Sequence, residues 1–201
     1  MMTRRTPYLS VCLCIGLLAA TPPAFAWSVT SLIHKVEHYF HDIGGYIQKS
    51  TRGGAQFPER YARPNPRFTP GAVNPAVTQA SLYETICRPG GYTRSIRPPE
   101  EYTEKLKREQ IRQYGYRDHR LGAYEEDHLV PLGLGGSPYS PRNLWPEPHD
   151  VEGGWGSYAK DKLEDQLHGM VCSNKISLAT AQYAIANDWI AAYKRYLSPA
   201  P

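Results

Sequence analysis

Residues 125–148 read EEDHLVPLGLGGSPYSPRNLWPEP. An acidic run enters a histidine, Leu129-Val130-Pro131-Leu132 follows, Gly135-Gly136-Ser137-Pro138 makes a turn region, and Asn143-Leu144-Trp145 resumes an apolar limb. Two short apolar limbs separated by Gly and Pro read as paired strands. Beyond the glycine-rich Gly153-Gly154-Trp155-Gly156, a helix begins at Ser157, so the order is β-β-α. Asp127 and His128 lie on the first limb and Asn143 on the second. Successive strand side chains point to opposite faces, so Asp127 and His128 serve one site only at a strand end or a bulge. Pro131 and the nearby glycines provide such a place.

Working outward, Ser157 to Val171 carries Leu163, Leu167, Met170 and Val171 at helical spacing. Ser177 caps a last helix through Tyr196, with Leu178, Gln182, Ile185, Trp189 and Tyr193 along one stripe. Upstream, Glu100 to Gln113 reads as a charged helix closed off by Pro98-Pro99 before it, and Tyr92 to Arg97 alternates as an extended segment. Residues 75–87 include a short helix that delivers Cys87. Residues 52–68 form a Pro/Gly/Arg-rich connector, read as an extended linker or a wrapping arm, and the folded domain runs from about residue 69 to 201. Residues 27–51 read as an amphipathic helix with His34, His38 and His41 on its polar face. That spacing suits either a metal ion or a solvated polar surface.

The first 26 residues read as a secretory signal peptide: Arg4 and Arg5, an apolar run too short for a membrane span, then Ala24-Phe25-Ala26. The expectation is an exported protein, periplasmic or secreted, with no membrane attachment after cleavage. Cys12 and Cys14 leave with the signal, and Cys87 and Cys172 remain to form one disulfide in an oxidising compartment. Charge is divided along the chain: residues 52–120 hold 13 basic and 7 acidic groups, residues 121–201 hold 6 basic and 10 acidic. A basic half ahead of an acidic half suits phosphates meeting a carboxylate-bound metal.

The run Asp127-His128-Leu129-Val130-Pro131, Gly135-Gly136-Ser137 and Asn143-Leu144 resembles the HNH family of ββα-metal nucleases, over about 45 residues from Glu125 to Gln166. The stretch from Thr69 onward looks more loosely like exported bacterial HNH-type proteins. The resemblance implies an α+β fold with a ββα-metal core, additional helices and one disulfide. It implies a hydrolase that cuts DNA or RNA with low sequence specificity, using a divalent metal (Mg, Mn or Zn). His128 would be the general base, Asn143 would orient the hairpin or that histidine, and Asp127 would be a metal ligand.

The residue types fit that chemistry: a near-neutral histidine can activate water, and a carboxylate-held metal can carry phosphorane charge. One departure concerns the helix. Many HNH sequences place a further His or Asn about nine residues after the central Asn, and here that count reaches Glu152. The second ligand is therefore open among His149, Glu152, Asp161 and Glu164, with Glu164 favoured as ligand or supporting group. Lys160 and Glu164 border the apolar stripe and should point toward the hairpin. Lys160 then reads as a phosphate contact, or the two form a simple helix pair. Arg94 and Arg97 read as nucleic-acid backbone contacts or as ordinary surface arginines. The alternative for the whole is a non-catalytic binding or structural protein on a degenerate HNH scaffold. No inhibitor partner is legible.

Overall fold

The computed structural model describes residues 57–197. The signal segment, the 27–51 helix with its histidines, and connector residues 52–56 lie outside the described residues.

The chain is an α+β structure: a two-stranded antiparallel hairpin followed by two long helices, with two further helices ahead of it. In chain order the elements are α1 (Tyr92–Ile96), α2 (Glu100–Gln113), β1 (Tyr124–His128), β2 (Leu144–Pro148), α3 (Ser157–Cys172) and α4 (Leu178–Leu197). The register pairs Tyr124 with Pro148, Glu125 with Glu147, Asp127 with Trp145 and His128 with Leu144. Pro146 and Pro148 recur with period two, so both missing N–H groups fall on the outward edge, where no third strand needs a donor.

Two of the expected elements shift. The first strand is the acidic stretch itself, and Leu129-Val130 lies beyond it in the loop. The 92–97 segment, expected to be extended, is the short helix α1. Gly90 and Gly91 both hold positive φ (103° and 86°) and turn the chain into it. Ser95 Oγ then donates to the Tyr92 carbonyl at 2.7 Å. A three-residue alternation was too short to separate the two periods.

The described part of the connector lies against the domain as a wrapping arm. Phe57 donates its N–H to Asp150 O and accepts from Glu152 N, both at 2.8 Å, and its ring packs on Tyr61 and Tyr124. Ala62 is fully buried and its carbonyl accepts the Trp189 indole N–H at 2.7 Å. Arg63 pairs with Asp188, where α4 is broken. Asp188 Oδ1 caps the continuing segment by accepting from Ile190 and Ala191 N–H, both at 3.1 Å.

Apolar packing joins α3 to α4 through Leu163, Leu167, Val171, Leu178, Ala181 and Ile185, all in one buried cluster. On the other side of the hairpin, α2 is tied to both strands by polar groups. Lys107 Nζ donates to Tyr124 O (3.3 Å) and Gln110 Nε2 to Leu144 O (2.8 Å).

Cys87 and Cys172 form the disulfide, with Cα atoms 5.5 Å apart and a sequence separation of 85. It clamps the segment ahead of α1 to the end of α3, where Tyr83 Oη also donates to Cys172 O. A loop of that length is worth roughly 4–5 kcal/mol in the chain-entropy picture. Replacing both cysteines by serine should therefore lower the urea midpoint by the equivalent of about 3–5 kcal/mol without changing the far-ultraviolet circular dichroism of the folded state.

Candidate functional site

The loop between the strands depends on one side chain. Asn143 is fully buried. Its Oδ1 accepts from Val130 N (3.0 Å) and Ala72 N (3.4 Å), and its Nδ2 donates to Val130 O (2.9 Å) and Ser137 O (3.1 Å). Gly136 passes so close to this knot that a Cβ there would lie 1.7 Å from the Val130 carbonyl oxygen. Asn143 thus holds the hairpin loop, one of the two tasks foreseen for it.

That loop positions His128, the last residue of β1, only 4% exposed. Its Nε2 lies 3.0 Å from the Pro138 carbonyl. A carbonyl only accepts, so Nε2 carries the proton and Nδ1 is the lone-pair nitrogen of the neutral ring. Burial lowers the imidazole pKa, against the opposing pull of Asp127, with Arg97 and Lys160 lowering it further. His128 is therefore neutral at pH 7.

Asp127 engages a different partner. Lys160, fully buried on α3, donates from Nζ to Asp127 Oδ2 (2.5 Å), to the His128 carbonyl (2.9 Å) and to Glu164 Oε1. Those three acceptors use all three ammonium hydrogens. Burial opposes the lysine's charge, but Asp127, Glu164 and Glu147 outweigh it and hold the ammonium well above its ordinary pKa. Burial also opposes ionisation of Asp127, yet Lys160 and a hydrogen bond with Glu147 keep its carboxyl low.

Glu147, opposite Glu125 on the same face of the hairpin, is fully buried, and neither oxygen meets an N–H or O–H donor. Burial, then the nearby Asp127, push its pKa well up, so it keeps its proton and shares it with Asp127. Glu164 is raised to about 8 by burial and by Asp127 and Asp161, against Lys160. Glu125 is raised to about 7 by burial and then Asp127. On the opposite face, burial raises Glu126 to about 9, with both oxygens unpartnered beside Lys107.

The remaining candidates are dispersed. Asp161 is solvent-facing on α3; partial loss of hydration and the charges of Asp127 and Glu125 raise its pKa. His149 follows β2 at the end of the hairpin away from Asp127. Its Nδ1 bonds Ser157 Oγ at 2.8 Å, and its ring lies over Tyr158. Glu152 is exposed in the turn before α3. Arg94 and Arg97 are exposed and form no ion pair among the described residues; Arg97 lies close enough to influence Glu125 and His128.

Two of the expected roles meet a different arrangement here. Lys160 is no phosphate contact in this arrangement, because it is buried and its donors are spent. Nor do Asp127, Glu164, Asp161 and His149 fit a divalent ion as they stand. Among the described residues, the only trio of His, Cys, Asp or Glu ligand atoms within 4.8 Å of one another is Cys87, His168 and Cys172, and the disulfide consumes two of them. Asp127 and Glu164 instead flank an ammonium. Sequence reasoning missed Glu147 and Glu125 as members of this buried acid cluster, and Glu126 on the opposite face. Period-two spacing of Glu125 with Asp127, and of Trp145 with Glu147, was the available signal.

No protein-family model, no curated protein and no solved structure matches this chain.

Two measurements probe the site. Asn143→Ala strands the Val130 N–H and carbonyl, so it should destabilise the domain by about 2–4 kcal/mol in urea unfolding. Glu126 has its native pKa raised above the unfolded value, so its contribution is complete below about pH 4.5 and is lost as pH rises toward 9. The wild-type urea midpoint should fall across that range, with a slope of up to about 1.4 kcal/mol per pH unit for one proton. Glu126→Gln should flatten the decline, and an unchanged profile would refute the assignment.

Proposed function

We propose that the hairpin and α3 form a ββα-type core acting on nucleic acid, and that the protein is an endonuclease in which His128 is the proton acceptor. One observation carries this reading: the bond from His128 Nε2 to the Pro138 carbonyl fixes the tautomer that leaves Nδ1 able to accept a proton. A water deprotonated by Nδ1 would attack phosphorus, the 3′ or 5′ oxygen would depart and take a proton from solvent, and the imidazolium would sit within reach of the Asp127 charge. Arg97 and Arg94, exposed and unpaired among the described residues, would meet the phosphate backbone. No separate base-reading element is present among the described residues, which fits low sequence specificity.

A second reading, a non-catalytic binding protein on the same scaffold, is favoured by the Lys160 ammonium standing between Asp127 and Glu164. Digestion of supercoiled plasmid, with Mg, Mn, Zn or chelator present, separates the two. The endonuclease reading expects nicking that His128→Ala reduces roughly 10²–10⁴-fold. Cleavage that survives this substitution removes His128 from the mechanism. Salt-dependent duplex binding without cleavage under any ion favours the second reading. In either case Arg94→Ala with Arg97→Ala should weaken binding and reduce the salt slope by roughly one per charge lost.

A further inference from the structure

We infer that Lys160 is the resident cation of this site: its ammonium holds β1 and α3 together where a divalent ion would otherwise sit, and it excludes such an ion from the folded protein. The inference rests on the geometry alone and stands whether or not the protein cleaves nucleic acid.

Three acceptors from two elements converge on one nitrogen, and a further carboxyl from a third element lies beside them. Asp127 Oδ2 and the His128 carbonyl come from β1, Glu164 Oε1 comes from α3 itself, and the buried Glu147 carboxyl of β2 adjoins Asp127. Two carboxyl groups and a main-chain carbonyl are oxygen donors of the kind hard divalent cations take, yet Asp127, Glu164 and Glu147 do not bring three ligand oxygens within 4.8 Å of one another. Here the Asp127, His128 and Glu164 oxygens each accept an N–H of one ammonium, at 2.5 and 2.9 Å for Asp127 and His128.

The lysine is covalently tethered one turn before Glu164, on a helix packed through Leu163 and Leu167. Its effective concentration at the site therefore exceeds that of any free ion. It cannot swing out cheaply, because its side chain is fully buried and its departure would leave Asp127 and Glu164 without a counter-charge. A divalent ion binding Asp127 beside the ammonium would meet its full repulsion at short range in a buried site, so the ion binds there only by displacing the lysine. Glu147 is completely buried with no N–H or O–H donor on either oxygen and adjoins Asp127 from β2.

The test is divalent-ion binding and thermal stability, not activity. Purified protein freed of metal by chelator is titrated with Mn²⁺, followed by electron paramagnetic resonance, and its melting temperature is recorded with and without millimolar Mn²⁺ or Ca²⁺. Wild type should bind no ion that depends on Asp127 and should melt at the same temperature in both conditions. Asp127→Asn should lower the melting temperature equally with and without the ion. Lys160→Met should melt lower by roughly 10 °C in chelator. Millimolar Mn²⁺ or Ca²⁺ should then recover much of that loss by filling the vacated position, an effect absent in Lys160→Met/Asp127→Asn. Should Lys160→Met fold only when the ion is present, that also supports the inference. It is overturned if wild type binds one divalent ion below millimolar concentration and Asp127→Asn abolishes this. It is likewise overturned if Lys160→Met is as stable as wild type in chelator.

Discussion

A fully buried ammonium with three acceptors is the constraint on which the arrangement of hairpin and helix depends. Lys160 reaches from α3 to a β1 side chain and a β1 carbonyl, so strand register, helix rotation and helix translation must all agree for its donors to be satisfied. Such a contact contributes less net stability than its Coulomb attraction suggests, since both charges have left water. Its weight lies in the asymmetry. Any alternative packing that separates Lys160 from Asp127 strands a buried charge, whereas sliding one leucine past another costs far less. The apolar seam between α3 and α4 supplies burial, and Lys160 supplies orientation.

The hairpin then divides its work between two faces. Glu125 and Asp127 pair across the strands with Glu147 and Trp145, on the face where Asp127 meets Lys160 of α3. Glu126 and His128 alternate to the other face, toward Lys107 of α2 and the Pro138 loop. Asp127 and His128 are neighbours in sequence that answer to different partners: the carboxylate is neutralised by Lys160, and the imidazole is aimed by a carbonyl. Asp127 acts on His128 through its field without a direct bond. The proposed proton transfer beside an anionic substrate would use this neutral imidazole, with the exposed Arg97 within electrostatic range of it. The same pair does not form a preassembled metal clamp.

Much of this was legible in the sequence wherever periodicity was long. Helices α3 and α4 follow from stripes of apolar residues, α4 also from Ser177, whose Oγ accepts the Thr180 N–H, and α2 was read as a charged helix. The placement of Lys160 and Glu164 toward the hairpin followed from the same wheel. The disulfide followed from the cysteine count and an expected oxidising compartment. Short signals failed. Tyr92 to Ile96 offers too few residues to tell a helix from a strand, and the two positive-φ glycines ahead of it decided the matter. The first strand was placed too late, because an acidic Glu-Glu-Asp run does not read as strand. It is one because the hairpin buries it against lysines on two helices. Burial of Glu147 and Glu126 was illegible for a related reason: composition assigns glutamate to solvent, and only the fold decides which carboxyls are forced to keep their protons.

Loop and cation are the two fixed points between which β1 is suspended. Asn143 ties Val130 and Ser137 so that the carbonyl of Pro138 arrives at His128 Nε2, and Lys160 fixes the backbone of His128 from the opposite side through its carbonyl. One residue is thus gripped at its ring and at its main chain by groups from a loop and a helix distant in sequence. A histidine needed only for packing would require neither grip, since an apolar side chain could fill the same buried space without a hydrogen bond to satisfy. Holding a neutral imidazole in one tautomer restricts rotamer and proton together, and that restriction is useful when the remaining nitrogen has a proton to accept. The case for chemistry at this site therefore rests on the way His128 is held, and the identity of the cation beside it is a separate question with a separate answer.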